Sequence, residues 1–314
     1  METFLWVEKY RPRSISECIL PEDLKNTFSE FVKDKHIPNL ILCGSAGVGK
    51  TTVAKVLAET HQLDMMFMNA STERGIDDVR MKIDSFASTT SLMGGYKVLL
   101  LDEADNLTQD AQKALRALIE QYQNNCRFVL TCNFPYKLID PLRSRLQEYN
   151  FTYPANGKTI QNSFIKRILS ILSQEKVQLK KEDVPVLQSL VGMYYPNWRR
   201  CIHELQRITS SGSIDPVLVN KIKEQHISTL FELMSVKNFT KVREWVAENM
   251  AQGVSETQVI SLIYKEMKEH LKPQSQPQAV LILADYQAKA AVVSNQEINT
   301  VGMCVELMME CEFS

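Results

Sequence analysis

Apolar positions in the first half of the chain come in short, nearly unbroken runs separated by longer amphipathic stretches. The runs at 39–43, 65–69, 97–102 and 127–131 are rich in Leu, Ile, Val, Met and Phe. Between them the spacing of apolar residues predicts helices over 50–61, 76–87 and 108–122. Near-continuous apolar strands that alternate with helices predict a parallel sheet covered on both faces, an α/β core of the nucleotide-binding kind.

The texture changes after about Phe151. From Asn156 onward the periodicity is helical and no strand is read. Tyr194-Tyr195-Pro196 and Ser210-Ser211-Gly212-Ser213 punctuate this region, and residues 272–277, which carry Pro273 and Pro277, break it late in the chain. The chain of 314 residues suits two or three domains at roughly 150 residues each. The reading is an α/β core over 1–152 followed by two all-helical domains, 153–226 and 227–314. No internal repeat is visible.

Charge and composition narrow the class. Lys plus Arg number 36 against 37 Asp plus Glu, a net charge of −1, with 44% apolar and 23% charged residues. That balance excludes disorder and a basic coat for nucleic acid, so a DNA site must be a local patch. No stretch approaches the roughly 18 apolar residues of a membrane span. The N-terminus reaches Glu8 and Lys9 before a signal core forms. A cytoplasmic protein with no membrane partner is expected. The seven cysteines form an odd, scattered set without a CxxC pair, and they read as reduced, buried thiols. The five histidines show no HExxH spacing, so protein-held zinc is excluded.

Chemistry enters at Gly44, Ser45, Ala46, Gly47, Val48, Gly49, Lys50 and Thr51, which fit GxxxxGK[ST] directly after a predicted strand and at the opening of a helix. Glycines let backbone N–H groups curl around phosphate oxygens, and the helix start adds partial positive charge. Lys50 is placed for the β- and γ-phosphates of ATP and Thr51 for Mg²⁺, with Thr52 joining the nucleotide-binding set. About fifty residues on, the run 98–101 ends in Asp102-Glu103. Asp102 suits Mg²⁺ through water, and Glu103 suits polarisation of the attacking water. Residues 102–105 also spell the tetrapeptide that names a class of RNA helicases. Those enzymes need a second recombinase-like domain, whereas this chain turns helical.

The ordered motifs carry a resemblance. Trp6-Val7-Glu8-Lys9-Tyr10-Arg11-Pro12, Asn69-Ala70-Ser71, the segment 74–80, Ser85-Phe86-Ala87-Ser88, the Asp-Glu-Ala-Asp box, the segment 108–116 and Thr131-Cys132-Asn133 together resemble the clamp-loader ATPases, the replication-factor-C small-subunit type of AAA+ protein. The match covers about 5–150, and the short length and Asp64-Met65-Met66-Phe67 look most similar to the tailed-phage form. The later chain matches in size and helical character.

The resemblance implies further roles. Val7, Tyr10, Arg11 and Pro12 would line the adenine pocket, with core packing as the plain alternative. Asn133 would sense the γ-phosphate or attacking water. Arg145, in Leu142-Arg143-Ser144-Arg145-Leu146, matches the arginine finger that acts in trans on a neighbour's ATP, although Leu146 stands where the family carries Cys; Arg143 competes. Arg199 would be the second sensor, with Arg200 as its alternative. Gln112 and Arg116, four apart on one helix face, would couple subunits and DNA to the ATP site. Arg74, Arg80 and Lys137 would touch DNA phosphates, and Leu92 and Met93 would anchor the sliding clamp.

The implied protein is an ATPase subunit of a pentameric clamp loader, partnered by other loader subunits, a sliding clamp and primer–template DNA. An AAA+ remodeller or helicase loader, and a nucleotide-binding scaffold that hardly hydrolyses ATP, are the rival readings.

Overall fold

The computed structural model describes residues 4–72, 75–91, 94–154, 157–181, 183–215, 227–251, 254–290 and 292–314. The first elements are α1 (Trp6–Lys9), α2 (Glu22–Asp34), β1 (Leu40–Cys43), α3 (Lys50–Thr60), β2 (Met65–Asn69), α4 (Ile76–Ala87), β3 (Lys97–Asp102), α5 (Gln109–Gln121), β4 (Cys126–Cys132), α6 (Asp140–Arg143) and β5 (Gln147–Asn150). Three helices follow, α7 (Lys158–Gln174), α8 (Asp183–Tyr194) and α9 (Trp198–Ile208). The last five are α10 (Ile227–Ser235), α11 (Phe239–Ala251), α12 (Glu256–His270), α13 (Gln276–Lys289) and α14 (Gln296–Glu310).

The strands form one parallel sheet in the order β2-β3-β4-β1-β5. Side chains alternate between its faces. Ile41, Cys43, Leu99, Leu101, Phe128 and Leu130 join Ala111, Leu115, Leu118 and Ile119 of α5 in one core. Leu40, Leu42, Val98 and Leu100 are buried on the opposite face, where α3 packs. α5 forms because its apolar positions repeat at three and four residues and because Thr108 caps it, the Thr108 side chain accepting from Ala111 N at 3.3 Å.

The predicted strands and helices of the core lie within a residue or two of the observed ones. The fifth strand was not read. β5 has the sequence Gln-Glu-Tyr-Asn and is mostly exposed, because it pairs on one side only, with β1, at the sheet's edge. No apolar run marks such a strand.

The chain divides into two compact units, Met1–Ile214 and Asp215–Ser314. The first holds the sheet and α7–α9. The second is helical and is built on Leu230, Phe231, Val242, Val246, Ile263, Met303 and Leu307.

Candidate active site

The strand order sets the ends of β1, β4 and β3 side by side, so the segments that leave them converge at the sheet's carboxyl edge. The loop after β1 turns into α3 through Gly47 (φ +78) and Gly49 (φ +103), both in the left-handed region. A Cβ on Gly47 would lie 2.0 Å from Asn197 Oδ1, the oxygen that caps α9 by accepting from Arg200 N at 3.0 Å.

Lys50 is only 8% exposed. Its Nζ donates to Gly44 O (2.7 Å), Ser45 O (2.8 Å) and Asn133 Oδ1 (2.9 Å). Burial holds its pKa below the ordinary lysine value, and the three acceptors offset that cost. Thr51 Oγ1 donates to Asp102 Oδ1 at 2.7 Å, and Thr131 Oγ1 donates to the same oxygen at 2.6 Å. Thr131 Oγ1 in turn accepts from Glu103 N at 3.1 Å. Glu103 sits in the left-handed region (φ +56, ψ +42), a conformation that costs a non-glycine residue about 1–3 kcal/mol and points to a functional constraint. Its Oε2 lies 3.5 Å from Asn106 Nδ2.

One cleft is lined by Val7, Tyr10, Arg11 and Pro12, by residues 46–52, by Asp102, Glu103 and Asn133, and by Arg199. Gly44 and Ser45 stand behind it and supply the carbonyls to Lys50. The N-terminal segment is fixed onto α7 and α9. Tyr10 OH (2.6 Å) and Lys9 Nζ (2.7 Å) donate to Glu175 Oε1, Arg167 Nη2 donates to Tyr10 O (2.9 Å), and Trp6 N donates to Gln206 Oε1 (3.1 Å). Arg11 pairs with Glu8 at 2.6 Å and holds that carboxyl below its usual range.

Of the two arginine pairs, Arg199 borders the cleft, while Arg200 lies over the Tyr194 ring at 5.2 Å. Neither Arg143 nor Arg145 lines the cleft. Arg143 pairs with Glu148 (2.8 Å) and Asp140 (3.7 Å). Arg145 pairs with Glu120 and donates to Pro141 O at 2.6 Å. Arg116 approaches the same Glu120 at 3.7 Å. Gln112 is buried: its Nε2 donates to Leu107 O (3.2 Å) and Lys137 O (3.1 Å), and its Oε1 accepts from Ile139 N (2.8 Å). Gln112 thus ties the segment after Glu103 to the segment after Asn133, whereas Arg116 is exposed on the same helix. Arg80 is exposed, and Lys137 Nζ lies over the Phe134 ring at 4.8 Å. Arg74, Leu92 and Met93 lie outside the described residues.

Several residues outside the candidate set hold the site together. Asp105 is buried and accepts from Asn133 N (3.3 Å) and Phe134 N (3.2 Å), so it positions the strand end that carries Asn133. Tyr153 OH reaches Ile19 O (2.9 Å) and Val48 O (3.0 Å) and accepts from Trp198 Nε1 at 3.4 Å, joining the phosphate loop to α9; burial pushes its pKa up. Ile19, Leu20, Phe164 and Ile202 give the cleft its apolar wall. Asp105 was legible as the last letter of the acidic box. Tyr153 had no local signal.

Among the described residues no group of three or more His, Cys, Asp or Glu is arranged to hold a metal, and no helix is long and apolar enough to cross a membrane.

Comparison with known proteins places this site in a family. Residues 40–153 match the model of the ATPase family associated with various cellular activities, and residues 222–306 match the replication factor C C-terminal domain. The replication factor C small subunit of Staphylothermus marinus is 36% identical over 274 residues, 84% of this chain and 81% of that protein. The one from Archaeoglobus fulgidus is 34% identical over 292 residues, covering 87% and 89%. Among solved structures, the RuvB Holliday junction branch migration motor of Thermotoga maritima superposes with a TM-score of 0.55 at 22% identity, over 68% of this chain and 72% of that one, a likeness of fold. The chain is an ATPase, and it belongs to the replication factor C small subunit family of clamp-loader subunits.

Proposed function

We propose that this subunit binds ATP with Mg²⁺ in the cleft between the sheet's carboxyl edge and α7–α9, joins a pentamer, and spends hydrolysis on releasing a sliding clamp onto primer–template DNA. The observation that carries this reading is the convergence of two hydrogen-bonded pairs, Lys50 with Asn133 and Thr51 with Asp102, on one cleft that Glu103 and Arg199 also line.

Lys50 and the loop amides of 46–51 bind the phosphates, with Lys50 exchanging its carbonyl partners for phosphate oxygens. Thr51 Oγ1 and Asp102 Oδ1 are hard oxygen donors side by side, the set that suits Mg²⁺. When bound there, Mg²⁺ neutralises charge on the phosphate oxygens. Glu103 orients and polarises the attacking water, Asn133 hydrogen-bonds the γ-phosphate end, and Arg199 ties that end to α9. Val7, Tyr10, Arg11 and Pro12 hold the base.

Arg145 stands outside its own cleft, which suits a finger supplied to the adjacent subunit. The helices α7–α9 act as a lid over 153–226, and 227–314 acts as a collar. Arg74, Arg80 and Lys137 follow DNA phosphates, Leu92 and Met93 meet the clamp, and Gln112 with Arg116 passes those contacts to Glu103 and Asn133.

The test is ATPase activity of the subunit purified with its co-expressed partners, with and without clamp and primer–template DNA. Stimulation needing both supports the reading; turnover indifferent to both overturns it.

A further inference from the structure

We propose that Cys43 and Cys132 are a peroxide-sensitive dithiol whose closure to a disulfide shuts down the nucleotide site. The two residues are register partners on adjacent strands β1 and β4, and both belong to the core on the α5 face of the sheet. Their sulfurs are 3.4 Å apart. Neighbouring strands run about 4.8 Å apart, inside the Cα separation that a disulfide spans. Closure therefore needs the sulfurs to approach from 3.4 Å to about 2.0 Å without separating or sliding the strands.

The two thiols are not equivalent. Cys132 is among the residues that line the nucleotide cleft, with 1% of its surface exposed, and Cys43 is not. Cys43 lies behind it, and its thiol is pushed up, first by its hydrogen bond with Cys132 and then by burial. Cys132 is thus the sulfur that an oxidant entering the cleft meets, and Cys43 is the one that resolves.

With hydrogen peroxide as oxidant the steps balance. The Cys132 thiolate attacks one peroxide oxygen: an S–O bond forms, the O–O bond breaks, and hydroxide leaves to become water. The Cys43 thiolate then attacks the sulfenic sulfur: the S–S bond forms, the S–O bond breaks, and the second oxygen leaves as water. Two thiols lose two electrons, peroxide gains them, and both thiol protons end in the two waters.

The position gives this bond its consequence. Gly44 follows Cys43 and Asn133 follows Cys132, and Gly44 N donates to Cys132 O at 3.2 Å. Lys50 Nζ bridges Gly44 O and Asn133 Oδ1, so the torsional change that closure imposes on Cys43 and Cys132 acts directly on the two residues that hold the lysine. Misplacement of about 1 Å in such a site costs about a hundredfold in rate.

The experiment treats the assembled loader with millimolar peroxide, quenches it, blocks residual thiols and maps cysteine peptides by mass spectrometry, with ATPase measured in parallel. Expected are a cross-linked peptide joining Cys43 to Cys132, an ATPase loss of about tenfold or more, recovery with dithiothreitol, and slower cross-linking when a non-hydrolysable ATP analogue fills the cleft. Cys43→Ala should keep its basal ATPase and lose no more than about twofold under the same peroxide treatment. Absence of the cross-link in wild type overturns the proposal whatever the ATPase does, as does an equal, dithiothreitol-reversible loss in Cys43→Ala. Cross-linking unaffected by the analogue overturns the assignment of the cleft as the route.

Discussion

Lys50 carries the residue-scale argument, because a buried ammonium persists only when acceptors surround it, and here two backbone carbonyls and Asn133 do so. The same accounting explains Asp102, which accepts from both Thr51 and Thr131. Glu103 lies beside this network in strained backbone, and its carboxylate is the group proposed to activate the attacking water. Glu103→Gln should therefore keep ATP binding, measured by titration calorimetry, while DNA-stimulated turnover falls at least about a hundredfold. Unchanged turnover would remove Glu103 from that role. Gly47 offers a second test. Alanine there meets both an unfavourable φ and Asn197 Oδ1, so Gly47→Ala should weaken ATP binding about tenfold. Adding Asn197→Ala should restore part of that loss. If the double variant binds no better, the contact with Asn197 is irrelevant to the loop.

At the scale of elements, caps and apolar periodicity account for most of the helices, and the exceptions are informative. α12 begins with a capping box, Ser255 with Gln258, and its first residue, Glu256, is fully buried. Glu256 Oε1 accepts from Asn299 Nδ2 at 2.5 Å while Oε2 has no partner. Burial raises its carboxyl pKa above the ordinary value. A raised folded-state pKa means the protonated form is favoured on folding. The stability it gives is present below the unfolded value and is lost as pH rises through the folded one. Glu256→Gln should thus raise the melting temperature at pH 8 more than at pH 4, by about 1 kcal/mol of stability at the higher pH. Equal shifts at both pH values would show that the carboxyl is solvated in the native state.

Elements also mark where sequence reading ran out. The runs that became β1, β3 and β4 were legible because strands with neighbours on both sides and helices on both faces need continuous apolar sequence. β5 was not, since an edge strand meets neither demand.

For the whole molecule, the finger role proposed for Arg145 is the one to test, since a finger in trans works only between subunits. Arg145→Ala should leave the subunit's own ATP affinity within about twofold while ATPase of the assembled loader falls about 10³-fold or more. A large loss of affinity would place Arg145 at its own nucleotide. Net charge argues in the same direction. With 36 basic against 37 acidic residues, one subunit lacks the net positive charge that would hold DNA phosphates by itself. The isolated subunit should bind primer–template DNA feebly in an anisotropy assay at physiological salt, and the ATP-loaded assembly tightly. Tight binding by the lone subunit without nucleotide would contradict an assembled grip.

The sequence by itself determined the phosphate loop, the acidic pair after the third apolar run and the α/β-then-helical order. Each is a local pattern: a turn that needs glycine, a strand that needs continuous apolar residues, a helix that needs a periodic face. Asn133 and Arg199 became candidates only through the resemblance to the clamp-loader ATPases. Folding alone decided that Arg199 and not Arg200 borders the cleft, that neither Arg143 nor Arg145 does, that Asp105 holds the Asn133 strand end, that Tyr153 joins the phosphate loop to α9, and that Cys43 and Cys132 touch. Those pairings span 28 to 105 positions along the chain, apart from the arginine choices. They exist because strand order 2-3-4-1-5 sets β3 against β4, β4 against β1 and β1 against β5, neighbours that no local pattern of residues records.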